Sequence, residues 1–370
     1  MPILSAGVPF GEINTRAPAL SHLALSLTQG CNLRCLHCQV DAGSTLPHEV
    51  TTQQVFQVVS QATDLGARAV SISGGEPFLR DDLHEIVGYA TSRGCRVSIE
   101  TNGTLLTDAL LQQLTAVTSS VFLSVSLDGS RPMTHDCFRG VPGAAALTIK
   151  ALERASTLGI QLQVLTVLNR MNLEEISDIT KFAHGLGAEH RVLILQDIGR
   201  ASGHSDLMLA PKELQAFFDR FLFPEMRRDR LPDGSVRNLH VDLPIALLPP
   251  DLKARAICNW GYGLIGMAPN GAIGLCHRVL DIDDLIGGYA GERTVREIWE
   301  SPLFHRLRAF DGRGLQGVCS RCLAARICRG RCRVNAYHHY GDLDAPDPIC
   351  QSFYEAGLFP SYALSIEEKG

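Results

Sequence analysis

Cys31-Asn32-Leu33-Arg34-Cys35-Leu36-His37-Cys38 is the stretch from which the rest of the chain is best read. It places three thiols in one short loop, directly after the apolar run Leu23–Leu27. A helix-length amphipathic segment follows, opening at Thr51, a good N-cap residue, and ending near Gly66. Ala69–Ser73 is then a second strand-sized run, and another helical segment follows Asp81 and stops at Gly94. Further strands are predicted at Arg96–Glu100, Val121–Leu127, Gln161–Leu168 and Val192–Leu195. Alternating strands and helices predict a parallel sheet with right-handed crossovers. Periodicity alone leaves open whether that α/β sheet is doubly wound or curled towards a barrel.

The loops after these strands carry unusual residues. The cysteines follow the first strand, Gly74-Gly75-Glu76-Pro77 the second, Thr101-Asn102-Gly103 the third and Asp128-Gly129 the fourth. Each is compatible with simple turn chemistry. In parallel α/β folds, however, the C-terminal strand ends share one face, where active sites form. Four such loops on one face predict a shared site.

Composition narrows the class. The chain has 370 residues, 45% of them hydrophobic, and a formal net charge of −5. That balance argues against a general nucleic-acid or anionic-membrane binder. The basic run Arg326-Ile327-Cys328-Arg329-Gly330-Arg331 is expected to be a solvated loop face. No run is long and apolar enough to span a bilayer, and no signal peptide is apparent, so a cytoplasmic protein is expected. In that compartment clustered thiols are read as metal ligands rather than disulfides.

The twelve cysteines are unevenly spread, with seven between 258 and 350. Cys258 and Cys276 flank Gly271, and Cys319, Cys322, Cys328, Cys332 and Cys350 follow after a gap. The region is rich in Gly and Cys and poor in long periodic stretches, so it is expected to need metal to hold it. Cys95 is expected to pack in the core. Cys137 lies near the predicted mouth, as a catalytic thiol or as buried filler.

The triplet spacing, with Gly74-Gly75-Glu76-Pro77 one βα unit later, resembles the radical S-adenosylmethionine (radical SAM) superfamily. His37 stands at a position that is commonly aromatic there. The resemblance implies a partial (β/α)6 TIM-like barrel followed by a small cysteine-rich iron–sulfur domain. It implies that Cys31, Cys35 and Cys38 hold a [4Fe–4S] cluster whose open iron chelates S-adenosylmethionine, from which a 5′-deoxyadenosyl radical is made. A zinc site built from the same cysteines and His37 is the simpler alternative, but it leaves the glycine motif unexplained. In the family Gly74, Gly75, Glu76 and Pro77 would face the cofactor, with Gly75 and Glu76 nearest its amino group. Ser126 would lie near its ribose or carboxylate, and Arg139 would pair with the carboxylate through its rigid fork or else form an ordinary surface ion pair. Asn102 is open between cofactor, substrate and a turn cap.

The seven later cysteines resemble the SPASM extension, which implies two auxiliary [4Fe–4S] clusters. Cys319, Cys322, Cys328 and Cys350 would complete one; Cys258, Cys276 and Cys332 would hold the other, its fourth ligand unassigned. Structural zinc is again the alternative. The implied domains are an N-terminal extension at 1–20, the barrel at 21–225, a bridging segment at 226–257 and the SPASM domain at 258–370. Sulfatase-maturing relatives carry an aspartate base directly after the cysteine matching Cys276; here His277 stands there, as a base or as a histidine packed beside a cluster.

These resemblances imply an enzyme that oxidises a ribosomally made precursor peptide, by a crosslink or a C–H functionalisation. Small-molecule or redox-cofactor biosynthesis by the same chemistry is the second reading, and a non-catalytic iron–sulfur electron carrier the third. An external electron donor such as flavodoxin or ferredoxin is implied. The stretch before the first strand leaves no room for a leader-binding domain, so a separate leader-binding protein could serve instead.

Overall fold

The computed structural model describes residues 19–118, 121–232, 236–252, 258, 260–279 and 282–365. Most of the expected N-terminal extension, and Asp233 and Gly234 of the bridging segment, lie outside the described residues. Six parallel strands form where the apolar runs predict them: β1 (His22–Ser26), β2 (Ala69–Ser73), β3 (Arg96–Thr101), β4 (Phe122–Ser126), β5 (Gln161–Leu168) and β6 (Glu189–Ile194). Between them run α1 (Thr52–Asp64), α2 (Leu83–Ser92), α3 (Asp108–Val117), the pair α4 (Pro132–Arg139) and α5 (Ala144–Thr157), and α6 (Ile176–Gly185). The start of α1 is fixed by a capping box, in which Thr51 and Gln54 satisfy each other's backbone N–H.

Period-two alternation sorts the strand residues by face. Leu23, Leu25, Val70, Ile72, Val97, Ile99, Leu123 and Val125 are buried in the main hydrophobic core, which the helices cover. The register puts Ser71 beside Ser98, Ser124 beside Gln163, and Gln163 beside Glu189 on the opposite, inner face. There Ser124 Oγ donates to Gln163 Oε1 (3.1 Å) and Gln163 Nε2 to Glu189 Oε2 (3.2 Å). Each buried outer Val, Leu or Ile contributes about 1.5–3 kcal/mol, against about 0.5–1.5 kcal/mol for such a hydrogen bond. Stability therefore resides on the helix-covered face, and the polar lumen is released for function.

Four short strands were not foreseen. β7 (Leu239–Val241) comes from the bridging segment and pairs parallel with β6. β8 (Leu264–Met267) pairs parallel with β1, although 242 residues separate Ser21 from Gly263, whose carbonyl accepts from its hydroxyl. β9 (Ala272–Gly274) and β10 (Ile286–Tyr289) complete an antiparallel meander on β8, and the β8–β9 turn runs through Asn270-Gly271, with Gly271 at φ +85°. The sheet runs β10-β9-β8-β1-β2-β3-β4-β5-β6-β7, a curled barrel with two separate ends. Strands of three or four residues show too few alternations to be read as periodic, which is why the sequence hid them.

The cysteine-rich tail also has more core than its composition suggests. Val318, Ile349 and Phe353 pack with Phe217, Phe218, Leu222 and Phe223 of the helical stretch 211–228. Phe218 and Phe353 stack with centroids 6.0 Å apart. No helix of the described residues is long and apolar enough to cross a membrane.

Below the mouth, Glu175 ties α6 to the N-terminus of α4. It accepts from Arg131 N (2.9 Å), Arg131 Nε (2.8 Å), Thr134 Oγ1 (2.6 Å) and Ser130 Oγ (3.1 Å). Burial alone would raise its pKa, but these donors outweigh it and bring the carboxyl down to about 2 from an ordinary 4.5. A depressed folded-state pKa stabilises above the unfolded value and is lost as pH falls through the folded one. Glu175→Gln is thus expected to lower the urea midpoint near neutrality. Its deficit against wild type should shrink as pH falls from about 4.5 to about 2; a pH-independent deficit would contradict this.

Candidate active site

The cysteine loop is built on the end of α4. A helix leaves its last carbonyls without intrahelical partners. Here the Phe138 carbonyl accepts from Leu36 N (2.9 Å) and the Arg139 carbonyl from Arg34 N (3.1 Å). His37 stacks on Phe138 with ring centroids 4.3 Å apart. Burial, then the Arg139 charge, push the His37 imidazole down to about 3, so it is neutral. Arg200 clamps the loop from the far side, Nε donating to the Cys35 carbonyl (2.8 Å) and Nη1 to the Ala42 carbonyl (2.8 Å).

Each of the three sulfurs has its own donor. Leu33 N points at Cys31 Sγ (3.5 Å), Arg139 Nη1 at Cys35 Sγ (3.7 Å) and Ala42 N at Cys38 Sγ (3.2 Å). Such donors stabilise thiolates and tune an attached cluster. All three cysteines line one open cavity of about 1110 Å³ at the C-terminal strand ends. The donor set and the shared cavity fit a cluster with a chelated cofactor. Among the described residues no three His, Cys, Asp or Glu side chains converge closely enough to hold a single metal ion.

Gly74 and Gly75 line the same cavity because their backbone passes against the start of the cysteine loop. A Cβ at Gly75 would sit 2.0 Å from the Gly30 carbonyl oxygen, and one at Gly74, where φ is +141°, 2.5 Å from that of Thr28. Gly75→Ala is therefore expected to cost about 1–3 kcal/mol through forced backbone shifts. It should also reduce iron bound per chain on reconstitution, measured against a surface Gly185→Ala control, where the backbone φ is ordinary and a Cβ meets nothing within 4 Å.

Glu76 turns away from the mouth. It is fully buried, and its carboxylate accepts from Thr101 Oγ1 (2.7 Å), Asn102 N (2.8 Å) and Phe78 N (3.2 Å). The structure thus corrects the expectation of a direct contact: Glu76 joins the ends of β2 and β3, and Pro77, also buried, starts the turn behind it. Asn102 and Ser126 do line the cavity. Asn102 Nδ2 donates to Asn32 Oδ1 (2.9 Å), which bridges the third strand-end loop to the cysteine loop.

Arg139 lines the cavity but is not a free guanidinium. Its Nε and Nη2 lie 2.6 Å and 2.5 Å from Asp128 Oδ2, with both side chains buried. Cys137 is exposed and does not line the cavity, so neither the catalytic-thiol nor the buried-filler expectation holds. Cys95 is buried in the main core.

His277 and Arg278 reach the cavity from the second cysteine region. His277 Nδ1 is 3.8 Å from Cys276 Sγ, and Arg278 Nη2 donates to Cys332 Sγ (3.5 Å). Mutual electrostatics divide the seven later cysteines into two sets: Cys258 feels Cys332 and Cys276, whereas Cys350 feels Cys319, Cys328 and Cys322. At Cys276 burial is outweighed by His277 and Arg278, and the thiol falls to about 6.

In the basic run only Arg326 is exposed, and the other two arginines are not on a solvated face. Arg329 and Arg331 are buried with φ of +50° and +59°. Arg329 sits 3.9 Å over the Tyr262 ring, and Arg331 Nη2 donates to the Asp242 carbonyl (2.6 Å). Glu100, Gln196, Arg200 and Arg278 also line the cavity and were not singled out from sequence. Only the position of Glu100 at a strand end gave any signal.

Comparison with known proteins follows the same division. Residues 25–183 match the model of the Radical SAM superfamily, and residues 258–323 that of an iron–sulfur cluster-binding domain, SPASM. The AdoMet-dependent heme synthase of Methanosarcina barkeri is 32% identical over 355 residues, covering 91% of this chain and 97% of that protein. The mycofactocin maturase MftC of Mycolicibacterium smegmatis is 29% identical, covering 89% of this chain and 82% of its own. Among solved structures, Streptococcus suis SuiB bound to its precursor peptide SuiA superposes with a TM-score of 0.71 at 18% identity. It covers 90% of this chain and 76% of SuiB, a likeness of fold.

Proposed function

This chain belongs to the radical SAM superfamily and carries its SPASM extension, and on that premise we propose that it oxidatively modifies a ribosomally synthesised peptide, by a crosslink or a C–H functionalisation. The observation that carries the reading is one cavity walled by Cys31, Cys35 and Cys38 on one side and by His277 and Arg278 on the other. Cys31, Cys35 and Cys38 would hold the cluster, which together with S-adenosylmethionine would supply radical chemistry for hydrogen-atom abstraction from the substrate.

The protein's own groups orient and protect that event. Gly74 and Gly75 offer backbone at close range, and Ser126 and Asn102 offer hydroxyl and amide groups, to the cofactor. Asp128 holds Arg139 so that its remaining Nη1 serves Cys35 rather than a cofactor carboxylate. His277, with Nδ1 towards Cys276, leaves Nε2 to accept the proton lost from the oxidised substrate. Cys258, Cys276 and Cys332, and Cys319, Cys322, Cys328 and Cys350, hold the auxiliary clusters in this reading. Domain limits at 21–225 and 258–370 follow from it, as do a cytoplasmic setting, a flavodoxin- or ferredoxin-type donor and a separate leader-binding protein.

The 32% identical heme synthase favours a second reading, a small-molecule substrate. Mass spectrometry of candidate precursor peptides incubated with reduced, reconstituted enzyme and S-adenosylmethionine separates the two. Loss of two hydrogens from a peptide supports the first. Conversion of a small molecule, with every peptide unchanged, would replace it.

A further inference from the structure

Arg329 stands where an arginine is costly. It ends the short helix Ala325–Cys328 with φ +50°, a left-handed backbone that glycine adopts freely and a long side chain rarely does. It is only 7% exposed. Among the described residues its guanidinium meets no oxygen acceptor: Cζ lies 3.9 Å from the Tyr262 ring centroid and 5.3 Å from that of Trp260, and Nη1 is buried without a partner.

Its buried neighbours are not left in this state. Arg331 reaches the carboxylates of Asp242 and Asp347, and Arg333 donates to the carbonyls of Leu343 (2.9 Å) and Ala345 (2.6 Å). An arginine cannot shed its proton, and a buried charge without compensation is strongly unfavourable. Two ring faces offset part of that cost. The rest must come from negative charge acting through space rather than through contact.

The surroundings identify that charge. Arg329 directly follows Cys328, and the two rings that hold it follow Cys258 by two and four residues. It therefore stands between the two cysteine sets, and its charge couples to Cys258 in one and to Cys328 in the other. A cube of iron and sulfide held by thiolates bears net negative charge, and groups around it tune its potential. We propose that Arg329 is the shared counter-cation of the two auxiliary clusters and raises the reduction potential of both. Each one-electron reduction adds one negative charge to a cube and breaks no bond, so a fixed cation favours the reduced form. This inference rests on the auxiliary clusters of the reading above, and not on the identity of the substrate.

The test is a redox titration of reconstituted holoenzyme followed by electron paramagnetic resonance. The first cluster is told apart because its signal responds to added S-adenosylmethionine. Arg329→Met keeps the length and loses the charge, and is expected to make both auxiliary clusters about tenfold harder to reduce, a downward shift of about 59 mV for one electron. Arg329→Lys should recover most of that shift. Arg326→Met, in the exposed part of the same run, should leave the potentials unchanged. Unmoved auxiliary potentials in Arg329→Met, or an equal shift in Arg329→Lys, would overturn the proposal. If Arg329→Met loses auxiliary iron instead, Arg329→Lys decides: iron regained upholds the charge, and iron lost in both leaves the residue a packing role only. Wild type that takes up no iron beyond its first cluster would end the auxiliary-cluster reading and this proposal with it, whereas unmoved potentials in loaded enzyme end the proposal alone.

Discussion

Cys35→Ser, reconstituted with iron and sulfide and reduced with dithionite, is expected to form 5′-deoxyadenosine at least about 10³-fold more slowly than wild type, a loss of about 4 kcal/mol or more in transition-state stabilisation. The serine oxygen is a poor substitute for a soft thiolate on iron. It also discards the hydrogen bond from Arg139 Nη1 that Cys35 Sγ accepts. Cys31 and Cys38 keep their own backbone donors, so the loop need not collapse. Iron analysis should show the later cysteines still loaded, because they lie in separate sets. Undiminished 5′-deoxyadenosine with one cluster missing would refute the assignment of this loop.

The second large effect concerns Asp128→Asn. Asp128 is fully buried, accepts from Arg139 Nε at 2.6 Å and from Val167 N at 2.7 Å, and so links β4, β5 and α4. Removing one partner of a buried pair strands the other charge and costs about 3–5 kcal/mol. The variant should show a markedly lower urea midpoint. Asp128→Asn combined with Arg139→Met should recover much of the loss, since it no longer leaves a buried charge unpaired. Burial raises the Asp128 pKa, but the Arg139 guanidinium, with the Val167 N–H, prevails and holds the carboxyl below its ordinary 3.8. Its contribution is therefore complete above that value and lost as pH falls below it. The single variant should lack this acid limb. A double variant no more stable than the single one would show that the charge pair is not the source of the loss.

How much of this was legible in the sequence depended on the length of each signal. β2 and β5 fall where their apolar runs place them, and Thr51 caps α1 as its residue type suggests. The four loops at one mouth follow from parallel topology alone. What escaped were short or long-range features. β7 has three residues, and β8 finds its partner only in three dimensions. Arg200 grips a loop 165 residues away, and no local pattern marks it. Glu76 was read as facing the cofactor from its place in the family's glycine motif, yet three donors draw its side chain inward. The arginines at 329 and 331 resembled a solvated run because charge is visible in a sequence and an aromatic or carbonyl partner is not.

The pairing of β8 with β1 also sets an order of assembly. As the chain leaves the ribosome, β1 and β2 can join early, but the outer edge of β1 has no neighbour until residues 264–267 exist. Bringing together strands so far apart in sequence is slow, and exposed strand edges invite wrong partners meanwhile. A truncation before residue 264 would leave that edge of the first strand unguarded.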